Sequence, residues 1–147
     1  MYTLDTNAIL YYLKDDAGAV SVLRDVFAEN VPIYVSAVTE LELFAYSDLS
    51  AKEESLIEEL LATISVIPVD SRIARLAALV RRSYRLKVPD SVIAATAMFT
   101  GSKLLTRNTR DFRKIPNFIV LKISRAKIKR SVMQHESARS SASSLLG

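Results

Sequence analysis

Apolar and polar positions along this chain change period repeatedly, and the two periods alternate. Tyr2-Thr3-Leu4 has the pattern of a short buried strand, which stops at Asp5. A helical pattern covers residues 8–14, is punctuated by Asp15-Asp16-Ala17-Gly18, and resumes to about residue 29. Val31-Pro32 turns the chain into a second strand over 33–36, and Ser36 stands at the N-cap of a helix over 37–46. Ser50-Ala51-Lys52-Glu53 has capping-box spacing, and Leu56, Ile57, Leu60 and Leu61 follow at helical intervals. A third strand falls at 64–69, and Ile73, Leu76, Ala77, Val80 and Tyr84 form another helical stripe. Pro89 disfavours helix at Val88, so the next helix is predicted over 90–100, apolar nearly all round and closed by Gly101. Strands at 103–106 and 118–121 complete the series.

Short strands alternating with helices predict an α/β fold, with a parallel sheet of four or five strands between two helical layers. Ligands of such folds gather beyond the carboxyl ends of the strands. Asp5 follows the first strand directly, and Thr106-Arg107-Asn108 ends the fourth, so both polar interruptions fall on one edge.

Length and charge refine this picture. The 147 residues suit one domain with a real core. The chain has no Cys, which removes disulfides and thiolate metal sites and agrees with a reducing, cytoplasmic setting. No apolar run approaches the roughly 18 residues of a membrane span, and Asp5 interrupts what would otherwise be the start of a leader, so neither is expected. The net charge of +4 is unevenly placed: residues 122–147 carry six Lys/Arg against one Glu, which leaves 14 Lys/Arg and 15 Asp/Glu in residues 1–121. The expected organisation is therefore a near-neutral domain over 1–121 and a basic, Ser-rich tail over 122–147, either a frayed helix or disordered.

Four carboxylates occupy positions where a carboxylate is mildly unexpected. Asp5 and Asp90 precede or open helices, where capping alone would explain them. On a helical wheel Glu42 shares a face with the small residue Ala45, whereas Glu40 points about 160° away, so Glu42 is the acid facing the first strand. Asn108 and Asp111 fit a polar cap and its third residue. If the four acids converge, their repulsion requires protonation or a cation. Oxygen ligands without Cys or His select a hard ion, Mg²⁺ or Mn²⁺. The only histidine, His135, lies in the tail, and the three glycines make no phosphate loop. Arg72, Arg75, Arg81, Arg82, Arg85 and Lys87 form an acid-free basic stretch, and Arg107 and Arg110 flank the last acids. These suit a polyanion's phosphates, or simply a solvated surface.

The strings LDTN at 4–7, VSAVTELEL at 35–43, VPDSVIAATAM at 88–98 and LLTRNTRDF at 104–112 together resemble the PIN-domain ribonucleases, and among them the VapC-type toxins of prokaryotic toxin–antitoxin pairs. The resemblance implies a PIN-like three-layer fold and Mg²⁺- or Mn²⁺-dependent endonucleolytic cleavage of RNA. It implies Asp5, Glu42 and Asp90 as metal ligands and catalytic acids, with Asp111 acting through water or a second metal position. Thr6, Asn7, Thr106 and Asn108 would be the polar shell around them, and Arg107 and Arg110 the contacts to RNA. It also implies an antitoxin partner and a homodimer, for which Leu43, Phe44, Tyr11, Tyr12 and Leu13 are candidate apolar contacts. Two rivals are a phosphotransferase using Asp5 as nucleophile, disfavoured by Asn7 in place of a second aspartate, and a non-catalytic RNA- or protein-binding module.

Overall fold

The computed structural model describes residues 1–124. Its strands are β1 (Tyr2–Leu4), β2 (Ile33–Ser36), β3 (Ser65–Ile67), β4 (Lys103–Thr106) and β5 (Val120–Lys122). Its helices are α1 (Thr6–Leu13), α2 (Ala17–Ala28), α3 (Ala37–Phe44), α4 (Ala51–Thr63), α5 (Ser71–Tyr84), α6 (Val88–Thr100) and α7 (Thr109–Phe112). The strands form one sheet in the order β3-β2-β1-β4-β5, and every neighbouring pair is parallel.

The two-residue period of the strands sorts side chains between two cores. Tyr2, Leu4, Ile33, Val35 and Leu105 pack with Ile9 of α1, Leu23 and Val26 of α2, and Ile57 and Leu60 of α4. Leu104 faces the other way, toward Val80 of α5, Ile93, Ala94 and Ala97 of α6, and Phe112. Helix α6 is buried without interruption from Ser91 to Ala97, as its all-round apolar sequence requires. Helices therefore cover both faces, giving the three-layer α/β/α architecture, and β1 sits at the centre with its carboxyl end opening toward α3 and α6.

Local capping follows the sequence. Ser36 Oγ accepts from Val38 N at 3.1 Å, and Ser50 Oγ accepts from Glu53 N at 3.1 Å while donating to Glu53 Oε1. Gly101 ends α6 at φ 67°. Helix α6 starts at Val88 rather than at residue 90, because Pro89 occupies the first turn, where its missing N–H has no intrahelical partner to lose. The domain also runs past the expected boundary at 121: β5 includes Lys122, and Ile123 is fully buried, donating its N–H to Thr106 O at 2.9 Å. The remainder of the expected tail, from 125 with His135, lies outside the described residues. Leu43 is core, fully buried, and not the surface contact expected of it. Phe44, Tyr11, Tyr12 and Leu13 are partly buried against the same core. Among the described residues no helix is long and apolar enough to cross a membrane.

Candidate active site

Asp5 occupies the N-cap position of α1, yet its side chain makes no capping hydrogen bond to that helix. The carboxylate turns inward instead. It is only 4 % exposed, and its Oδ2 accepts a 2.7 Å bond from the hydroxyl of Thr106, at the end of the neighbouring strand β4. Thr106 Oγ1 in turn accepts from Asn108 N at 3.1 Å, so the same hydroxyl holds Asp5 and the turn after β4. Burial raises the Asp5 carboxyl, and its bond from Thr106 opposes this; nearby Asp90 raises it again, the Thr6 N–H lowers it, and Glu42 raises it, leaving it pushed up to about 6.

The other acids join through their fields. Glu42, half-buried on α3, accepts a 2.7 Å bond from Thr6 Oγ1, which also lies 3.0 Å from Thr39 Oγ1. Of Glu40 and Glu42, it is therefore Glu42 that faces Thr6 and Asp5, as the helical wheel expects. Asp90 stands in the first turn of α6, with its carboxyl raised by burial and then by Asp111 and Glu42, against the lowering effect of Lys87. Asp111, on α7, lies 3.5 Å from Lys114 Nζ.

Thus Asp5, Glu42, Asp90 and Asp111 belong to one electrostatic cluster, drawn from β1, α3, α6 and α7. They do not form a closed cage: among the described residues, no three Asp, Glu or His side chains are gathered closely enough to make a ready-made metal site. Like charges repel when nothing neutralises them; Thr6, next to Asp5, donates to Glu42, and Lys114 lies beside Asp111. The donor set itself fits a hard cation: it is all oxygen, and Mg²⁺ is held by one or two carboxylates while keeping several waters.

The remaining expected residues divide. Thr6 and Thr106 are buried and bonded to acids. Asn108 contributes its backbone N–H and makes no side-chain cap bond, while Asn7 and Arg110 are exposed. Arg107 is not the free rim cation expected. It is ion-paired with Asp16, and its guanidinium carbon lies 3.8 Å from the centroid of the Tyr11 ring. In the basic stretch, Arg72 pairs with Asp70 and Arg81 bonds Leu86 O.

The family model for the PIN domain matches residues 2–117. The chain belongs to the PIN-domain family. Its sequence is 27 % identical over 122 residues to ribonuclease VapC19 of Mycobacterium tuberculosis, covering 80 % of this chain and 96 % of that one. The fold is similar to a toxin–antitoxin complex from Klebsiella pneumoniae (TM-score 0.72, 28 % identity, 85 % of this chain and 99 % of that one). It is also similar to FitAcB from Neisseria gonorrhoeae (TM-score 0.66, 28 % identity, 83 % and 97 %).

Two contacts in this PIN domain's site were not foreseen from the sequence. Lys87, counted there only as a member of the basic stretch, is the N-cap residue of α6 and brings a positive charge to bear on Asp90. Asp16 holds Arg107 from the α1–α2 corner. The first could have been found from its place three residues before Asp90. The second had no local signal, since 91 positions separate the pair.

Proposed function

We propose that this PIN domain is a Mg²⁺- or Mn²⁺-dependent endoribonuclease that acts as the toxin of a toxin–antitoxin pair. The observation that carries the reading is a buried Asp5, oriented by Thr106 and lying in the common field of Glu42 and Asp90 at the carboxyl edge of a parallel sheet. The relatives named as a ribonuclease and as toxin–antitoxin complexes support it.

Asp5 and Asp90 would hold the ion, with Glu42 and Asp111 completing its surroundings directly or through water. When bound, the ion supplies an activated water and charge neutralisation on the phosphodiester. Hydrolysis there would join the water oxygen to phosphorus and release the ribose oxygen, which would take up the water's proton. Thr106 and Thr6 keep Asp5 and Glu42 aimed inward. Arg110 and Lys87 on the rim offset the strand's phosphates. Single-stranded or looped RNA suits a recessed acidic pocket better than a paired backbone does.

For the antitoxin, α1 and α4 frame two adjoining apolar clefts that share Leu13 and Leu56. One is lined by Leu10, Tyr46 and Leu49, the other by Tyr12, Phe27 and Val31. An apolar segment of the partner would seat there among Leu13, Leu56 and their neighbours, with Lys14, Asp15, Lys52, Glu53 and Glu59 at hand for its polar groups and apart from Asp5 and Asp90. Leu41 on α3 and Val88 on α6, 65 % and 55 % exposed on neighbouring helices, are candidate contacts for a second copy of the chain.

An Asp5→Asn/Asp90→Asn double variant tests the enzymatic core. Loss of cleavage with retained RNA binding supports a nuclease. Unchanged behaviour in both assays supports a binding module and removes the catalytic reading.

A further inference from the structure

We propose that Arg107 is a positioning residue: its guanidinium, fixed between Asp16 and Tyr11, holds the turn that delivers the Thr106 hydroxyl to Asp5. The cation sits next to the acids in sequence, which is why a phosphate contact was expected of it, but its surroundings are those of an anchor. Its side chain is only 12 % exposed. Nη2 donates to Asp16 Oδ2, and Nη1 lies 3.5 Å from Oδ1, so one edge of the fork is already engaged by a carboxylate. One face stacks on Tyr11, and Nε is buried without a partner. Little of the group is left for an RNA phosphate.

Asp16 is itself tied to the backbone. It caps α2, accepting from Ala19 N at 3.0 Å. Arg107 therefore ties the turn after β4 to the fixed corner between α1 and α2. That turn is otherwise lightly restrained. The Thr106 backbone is held by Ile123 N, but Asn108, two residues on, is exposed, lies at φ −96° and ψ 85°, and makes no side-chain cap bond. The hydroxyl of Thr106 has to serve Asp5 and Asn108 N together, and it does so only while the turn keeps its shape. Retaining a buried, incompletely bonded cation instead of an apolar side chain is costly, and fits a demand for one defined conformation.

The test compares Arg107→Ala, Arg107→Lys and Asp16→Asn. Asn at 16 retains an oxygen for the α2 cap, and these milder variants carry the experiment should Arg107→Ala not fold. The first readout is amide hydrogen exchange without metal. Exchange at Asn108 should speed up by about tenfold while the α6 amides keep their rates, because only a local opening is released. The second readout is cleavage of a single-stranded RNA oligonucleotide with Mn²⁺, which rests on the ribonuclease reading. There kcat should fall roughly tenfold to a hundredfold with KM nearly unchanged, as for a displaced catalytic group. Lys should recover part of the loss by keeping the charge without the stacked fork. The Arg107→Ala/Asp16→Asn double variant should be no worse than the single Arg107→Ala.

Unchanged exchange at Asn108 would overturn the proposal, as would equal acceleration throughout α6, which marks general destabilisation. A raised KM with intact kcat would make Arg107 an RNA contact after all. If the parent protein cleaves no RNA, the ribonuclease reading falls, and the exchange measurement still decides the role of Arg107.

Discussion

The hydroxyl of Thr106 donates a 2.7 Å hydrogen bond to Oδ2 of Asp5, joining two residues 101 positions apart in the chain. The bond lowers the Asp5 carboxyl against the upward push of burial. Thr106→Val keeps the shape and removes the donor. The Asp5 carboxyl should then titrate above its parent value, followed by NMR of its carboxyl carbon. Stability at pH 7 should fall by about 1–3 kcal/mol in urea unfolding, the usual penalty for a buried acceptor left short of a partner.

Burial of the acids makes the metal-free protein sensitive to pH. Asp5 moves from an ordinary 3.8 to about 6, and Asp90 is raised as well. A folded-state value above the unfolded one favours the protonated native state. Its contribution is therefore complete below the unfolded value and is lost as pH rises through the folded one. Urea midpoints in chelator should fall between pH 5 and pH 7, with Asp5 alone accounting for about 1 kcal/mol. Added Mn²⁺ should reverse the fall at pH 7 and do little at pH 5. A flat profile in chelator would contradict the buried, mutually repelling arrangement.

Asp5→Asn separates catalysis from stability. It removes a buried charge while leaving an amide oxygen to accept from Thr106. RNA cleavage should be lost, and the metal-free protein at pH 7 should gain about 1–3 kcal/mol, since an uncompensated buried charge is costly. Parallel cleavage and urea measurements on one preparation check both directions at once.

A change remote from the site serves as a control. Gly101 closes α6 at φ 67°, and a Cβ built there meets no atom within 4 Å. Gly101→Ala should cost about 1 kcal/mol through backbone strain alone, measured by urea unfolding, and leave cleavage unchanged.

Features with local causes were legible in the sequence. Ser36, the Ser50–Glu53 box and Gly101 act within a few residues of themselves, and each does in the fold what its position announced. The alternation of short strands and helices also placed Asp5 and Thr106 at the same sheet edge. Pro89 misled because a proline both ends and begins helices, and only the fold shows which. Ile123 was hidden among basic neighbours, although it is fully buried. Arg107 was misjudged because its partners, Tyr11 and Asp16, are remote in sequence and close only in space. Asp16 itself had been taken for turn punctuation. That no three of the acids gather into a ready-made metal site is a property of the packed fold, and the Thr6–Glu42 bond exists only once α1 and α3 have come together.

The placement of β1 between β2 and β4 has a consequence for synthesis. Of the strands in this sheet, β1 waits longest for its second neighbour: Leu4 and its β4 partner Leu105 are 101 positions apart, and the bonded pair Thr3 and Ser102 are 99 apart. Until then the nascent polypeptide holds Asp5 with no hydroxyl to orient it. A product ending before Thr106 would lack the hydroxyl that orients Asp5, so this carboxyl is aimed only after the chain has run through β4.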